Sequence, residues 1–205
     1  PDVEFSGLEE SPAVLGEFVW TGFDYLGEPT PYFAWDQPRD ERDWPARSSY
    51  FGIVDLAGFP KDRFYLYQSQ WTTKPMVHVL PHWNWAGREG QPIPVMAYTN
   101  AEEVELFLNG RSLGRRKKGE PYSIPMGKKI SEDLRFTTKY RVVWEVPYAP
   151  GTLTAVAFNR GQTVASAEVR TAFFPSYVDL RALRISPHAD AARRAFVPVR
   201  YANAE

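Results

Sequence analysis

The sequence predicts a mixed chain: one strand–loop–helix unit of a parallel barrel or sheet, followed by a β-sandwich of immunoglobulin type. Three observations carry this. Six of the seven tryptophans (Trp20, Trp35, Trp44, Trp71, Trp83, Trp85) fall in the first 85 residues and only Trp144 lies beyond, so the composition shifts near residue 75. Downstream of Pro75 the chain reads as short β-favouring runs separated by turn signals. Upstream it reads as one strand and one helix on either side of a proline-rich loop.

Glu17-Phe18-Val19-Trp20-Thr21 is expected to be a short strand, bounded by Gly16 and Gly22. From Thr21 to Phe59 the chain carries Pro29, Pro31, Pro38 and Pro45 among acidic and aromatic residues. Loops beyond about 12–15 residues are usually functional or disordered, and the aromatics here argue against disorder. Pro60-Lys61-Asp62-Arg63 then opens a helix, with proline early and Asp62 near the positive end of the dipole. Phe64, Tyr67 and Trp71 recur at i, i+3 and i+7 as its apolar face, and Leu66 widens the stripe. A βα unit needs sheet neighbours. Nothing before Glu17 reads as one, so the chain is expected to be an excerpt.

Downstream, strands are expected at Met76–Leu80, Ile93–Tyr98, Val104–Leu108, Tyr140–Val146, Leu153–Phe158 and Thr163–Thr171. Asn109-Gly110 demands a type I′ hairpin, with Arg111–Gly114 as the returning strand. Asn159-Arg160-Gly161-Gln162 marks a second hairpin. Phe173-Phe174-Pro175 reads as a linker, and residues 195–201 alternate like the opening strand of a further domain, where Pro198 implies an edge. The expected domains are therefore 1–74, 75–173 and 174–205.

Charge excludes several classes. Lys and Arg total 24 against 25 Asp and Glu, a net charge of -1, where nucleic-acid and polybasic membrane binders need a basic surplus. No cysteine is present, so there is no disulfide, thiolate nucleophile or Cys-ligated zinc. The compartment stays open. No apolar run approaches the roughly 20 residues that span a bilayer, and Pro1–Glu10 does not read as a signal peptide.

Asp24 and Glu28, with Glu17 and Asp36 nearby, surround the strand end beside Trp20 and Tyr25. Two carboxylates beside an aromatic platform suit glycoside chemistry, in which one protonates the leaving oxygen and the other attacks or activates water. Spacing alone favours solvated loop acids. A tryptophan at a strand end more often packs in a core or rim, although ligand residues of parallel barrels cluster at the C-terminal ends of strands. His78 and His82 lie four apart near a strand with no third ligand, which argues against a metal, and His188 is isolated. Arg115-Arg116-Lys117-Lys118 and Lys128-Lys129 read as a solvated hairpin and loop. No phosphate loop, Gly-x-Ser-x-Gly elbow or His-Glu-x-x-His occurs, and no cofactor is expected.

The segments Gly16–Tyr32 (GEFVWTGFDYLGEPTPY) and Ser48–Asp62 (SSYFGIVDLAGFPKD) resemble the eighth-strand region and last-helix approach of the barrel in glycoside hydrolase family 2, β-galactosidase branch. His82-Trp83-Asn84-Trp85, Tyr98-Thr99-Asn100, Val104–Gly110 and Val146–Gly151 resemble the sandwich that follows that barrel. The resemblance covers residues 12–172 well and the tail weakly. It implies the end of a (β/α)8 barrel plus an immunoglobulin-like sandwich from a retaining β-galactosidase. The acid/base and nucleophile glutamates of that family lie on earlier strands and are absent here, so no catalytic residue is assigned and the segment alone is expected to be inactive. Trp20 matches the tryptophan at the floor of the sugar subsite, Glu28 lies where the loop reaches the sugar, and Asp24 orients the site. The implied partners are a β-galactoside and the upstream barrel and sandwich domains, with a homo-oligomer allowed. A β-glucuronidase or β-mannosidase of the same family is the near alternative. The other is a carbohydrate-binding sandwich using Trp83 and Trp85, or a spacer whose tryptophans pack against the barrel helix.

Overall fold

The computed structural model describes residues 1–26, 48–125, 135–172, 177–180 and 199–202. The chain divides into two compact units, 1–170 and 171–205. Within the second, β10 (Tyr177–Leu180) pairs antiparallel with β11 (Val199–Ala202). Phe173, Phe174, Pro175 and Pro198 lie outside the described residues.

The first unit is mostly antiparallel strand. β1 (Val77–Leu80), β2 (Pro92–Thr99) and β7 (Val142–Pro147) form one sheet in the order β1-β2-β7. β3 (Glu103–Leu108), β4 (Arg111–Lys117), β8 (Thr152–Asn159) and β9 (Gln162–Arg170) form the other, in the order β4-β3-β8-β9. A single core lies between them, built from alternate residues of both sheets: Val77 and Val79, Ile93, Val95 and Ala97, Val104 and Leu106, Trp144 and Val146, Leu153 and Ala155. This is a β-sandwich. Successive strand side chains point to opposite faces, so only every second residue needs to be apolar.

The turn chemistry works as expected. Asn109 and Gly110 hold φ of 51° and 80°, the left-handed pair of a type I′ turn. Asn109 also accepts the Thr152 amide at 2.8 Å and donates to the Pro150 carbonyl at 3.1 Å, tying the β3–β4 turn to the start of β8. At the second hairpin Arg160 and Gly161 take the same two conformations, φ 49° and 76°. Pro92 and Pro94 lie in β2, but β1 pairs only with residues 96–99. That end of the sheet is open on one side, where a missing N–H is tolerated.

Two helices cover the outer face of the three-stranded sheet. α1 (Asp2–Glu10) has no counterpart in the sequence reading, and α2 (Asp62–Trp71) starts where Pro60-Lys61-Asp62 placed it. The residues of β1 and β2 that alternate away from the sandwich core, Leu80, Met96 and Tyr98, join Phe5, Leu66, Tyr67 and Tyr140 in a second cluster. Phe5 meets the edges of Tyr67 and Tyr140 at 5.4 and 5.2 Å. His78 stacks on Tyr65 at 3.8 Å and bonds Asp62 at 2.8 Å. The Arg141 guanidinium grips both oxygens of Asp2, and Thr138 donates to the same carboxylate.

Several expectations change. Glu17–Thr21 is not a strand: burial alternates along it as a strand's would, but its backbone finds no ladder among the described residues. Pairing is what defines a strand, and the partner at 53–54 reaches residues 21–24 instead. On α2 the buried residues are Leu66, Tyr67 and Ser69, while Trp71 is 58% exposed, because the sheet lies against the Leu66–Tyr67 side. The hairpin strands β5 (Tyr122–Pro125) and β6 (Arg135–Thr138) were also not anticipated. Trp83 and Trp85 belong to the sandwich core cluster, not to a helix contact.

Candidate functional site

The segment 20–26 is built against 48–61. Ile53 donates to Thr21, Val54 to Gly22 and Asp24 to Val54, at 3.0, 3.0 and 2.8 Å, and Phe23 bridges Val54 in parallel. The facing segment is shaped locally. Asp55 Oδ1 accepts the amides of Ala57 and Phe59 at 2.9 and 2.8 Å, an Asx-type turn that returns the chain so that Lys61 N reaches Ile53 O.

Asp24 locks the two segments together. Its Oδ1 accepts the Gly52 amide at 2.8 Å and the Ser49 hydroxyl at 3.4 Å, and its Oδ2 is ion-paired with Lys61. Lys61 also donates to the Tyr50 carbonyl at 3.1 Å. The hydrogen bond from Lys61 is the largest influence holding the Asp24 carboxyl below its ordinary range; burial opposes it and the Gly52 amide assists. With three donors engaged, the carboxylate is held ionised and oriented. Gly52 is required by contact: a Cβ there would lie 2.2 Å from the Asp24 amide nitrogen.

This lock presents Trp20 at its edge. The indole is 71% exposed, and Phe23, Leu26, Tyr50, Leu56 and Phe59 are also exposed on the same two segments. Glu28 and Asp36 lie outside the described residues. Glu17 is set apart from Asp24: its Oε1 is buried without a hydrogen-bond partner, and burial and the Glu4 carboxylate push its pKa up.

The sandwich tryptophans are differently placed. Trp83 is fully buried, edge-on to Tyr148 at 5.1 Å, and donates to the Ala149 carbonyl at 2.9 Å. It offers no face to a ligand. Trp85 stacks on His82 and has Arg88 over its ring. No group of three or more His, Asp or Glu with metal-holding geometry occurs among the described residues. The roles of Ser49, Gly52 and Lys61 were not visible in the sequence. Their one signal was a glycine between Phe51 and Ile53 in the Ser48–Asp62 segment, where an unbroken apolar run would otherwise stand.

A family described as a domain of unknown function, DUF4982, matches residues 90–165, within the sandwich. The chain is 45% identical over 94% of its length to beta-galactosidase BoGH2A of Bacteroides ovatus, and 39% identical over 87% to a putative beta-glucuronidase of Formosa agariphila. Among solved structures, a glycosyl hydrolase family 2 member from Bacteroides cellulosilyticus superposes on 86% of the chain with a TM-score of 0.63 and 31% identity. The chain belongs to glycoside hydrolase family 2. It spans 19% and 15% of the two curated relatives and 24% of that solved chain.

Proposed function

We propose that this chain is part of a retaining β-galactosidase: residues 1–74 complete a (β/α)8 barrel, 75–173 form an immunoglobulin-like sandwich that buttresses it, and 174–205 begin a further sandwich. The exposed Trp20 indole, set at the edge of the Asp24 lock, carries this reading. An indole face covers the apolar side of a sugar ring and excludes water from the bond being broken. Asp24 acts by positioning, since its oxygens already serve Gly52, Ser49 and Lys61. Glu28 takes the role that the family resemblance assigns it, accepting sugar hydroxyls. The apolar residues around Trp20 pack against the rest of the barrel, whose two glutamates perform acid/base and nucleophilic steps.

A glucuronide is the second reading, favoured by the Formosa agariphila relative's name. A uronic acid presents a carboxylate, which a site matches with a free cation. Of the described residues in the lock, the one ammonium, Lys61, is already neutralised by Asp24, which favours the neutral galactoside.

The test is Trp20→Ala in the intact enzyme. It lowers kcat/KM for an aryl β-galactoside by about 10²-fold while melting is unchanged. Unaltered kinetics would remove Trp20 from the site, and faster turnover of the aryl glucuronide by the parent would transfer the reading to the second sugar. The 205-residue chain alone is expected to hydrolyse neither.

A further inference from the structure

Residues 1–170 also hold a cavity of about 780 Å³ where the β2–β3 turn, the end of β4 and the β8–β9 turn meet the C-terminal ends of α1 and α2. It shares no lining residue with the Trp20 edge. Four cations line it, Lys117, Lys118, Lys139 and Arg160, against three carboxylates, Glu9, Glu102 and Glu103. Each carboxylate has a partner: Glu9 pairs with Lys139 within the lining, Glu103 with Arg115 outside it, and Glu102 Oε2 accepts the Arg160 backbone amide at 2.7 Å. The side-chain heads of Lys117, Lys118 and Arg160 have no carboxylate partner among the described residues.

Glu102 also fixes where two of these cations stand. Its carbonyl accepts the Lys118 amide at 2.9 Å, its carboxylate holds the Arg160 amide, and its own amide donates to Asn159 Oδ1 at 2.9 Å. The ends of β4 and of the β8–β9 turn are thus joined through one residue. Burial holds the Lys118 ammonium below the usual lysine range, with the Glu9 carboxylate opposing, so an arriving anion gains more there than at an open surface.

We propose that this cavity binds an acidic saccharide, its carboxylate or sulfate seated between Lys118 and Arg160 and its hydroxyls donating to Glu102. The cavity has the volume of a small-molecule site, several times that of a bare oxyanion. The small excess of positive charge suits one anionic group rather than a polyphosphate. Tyr140, the aromatic residue of the lining, is 3% exposed and gives no face for a nucleobase. The Glu102 carboxylate, with one oxygen on the Arg160 amide, leaves an acceptor beside these cations, which suits a ligand that carries hydroxyl donors as well as one anionic group.

Calorimetry on the 205-residue chain tests this with four probes: sodium glucuronate, galactose 6-sulfate, galactose and sodium sulfate. Saturable binding of the two acidic sugars is expected, with galactose inert and inorganic sulfate about tenfold weaker. Lys118→Gln and Arg160→Gln each weaken binding about tenfold. No saturable binding of either acidic sugar, equal binding of galactose, or sulfate binding as tightly as the sugars would each overturn the proposal. If a variant fails to fold, amide shift mapping on the unaltered chain decides: shifts centred on Glu102, Lys118 and Arg160 support the site, and shifts elsewhere sink it.

Discussion

The sandwich and the segments that precede it use tryptophan in opposite ways. Trp83 and Trp144 are 0% and 2% exposed inside a core closed by two sheets, whereas Trp20 and Trp71 stand 71% and 58% exposed. The backbone differs in parallel. Sandwich strands satisfy their amides in ladders running up to eight residues, as between β8 and β9. Residues 20–26 have three backbone bonds to 53–54, two further bonds between Tyr25 and Ser49, and the contacts of the Asp24 carboxylate. A region that completes its own core needs only apolar alternation. A region that leaves its aromatics outward must be held in shape by specific polar contacts.

The comparison breaks most visibly at Trp83. Trp83→Ala should cost about 3–5 kcal/mol in urea unfolding of the 205-residue chain, through a cavity and an orphaned Ala149 carbonyl. A loss below 1 kcal/mol would mean that the sandwich core does not depend on it. Gly52→Ala comes next, at about 2–3 kcal/mol. The methyl meets backbone at 2.2 Å, so residues 20–26 must part from 48–61, and hydrogen exchange at the Ile53 and Val54 amides should accelerate. Unchanged exchange would show that the lock is not formed.

Asp2→Asn sharpens the joint between helix and sandwich, with an expected cost of about 2 kcal/mol. Burial works to raise the Asp2 pKa, but hydrogen bonds from Arg141 and Thr138 and the Arg141 charge outweigh it, leaving it below the ordinary value. A group depressed on folding stabilises the protein above its unfolded pKa, near ~3.9, and loses that contribution as pH falls through the folded value. The gap between the parent and Asp2→Asn should therefore be full at neutral pH and close in the acid range. A gap independent of pH would exclude the ion pair as its cause. The smallest effect belongs to the hairpin: Asn109→Ala should cost about 1–2 kcal/mol, from positive φ and two lost side-chain bonds, and Asn109→Gly less. Equal losses for the two would remove the backbone part of that argument.

How much could be read beforehand follows from the range of each interaction. The Asn109-Gly110 and Arg160-Gly161 turns, the strands they join and the start of α2 at Asp62 depend on neighbours within a few residues, and all were legible. α1 was not, because its sequence has little apolar stripe; its one buried aromatic, Phe5, acquires meaning only against Tyr67 and Tyr140, the latter 135 residues away. β5 and β6 are short and lack alternation of their own. Within the site, Trp20 and Asp24 stood out as residue types, while the bond from Asp24 to Lys61 spans 37 residues.

The sequence by itself determined the sandwich, since period-two apolarity and positive-φ turn residues are written locally and lead to one way of closing a core. It also determined the family, through the long motifs around Trp20 and Asn84. Only the tertiary structure decided which tryptophans are core and which face outward, and that Asp24 is a lock whose oxygens are already taken. Burial and ion pairing depend on which distant segments meet, and the identity of a residue fixes its chemistry without fixing its neighbours.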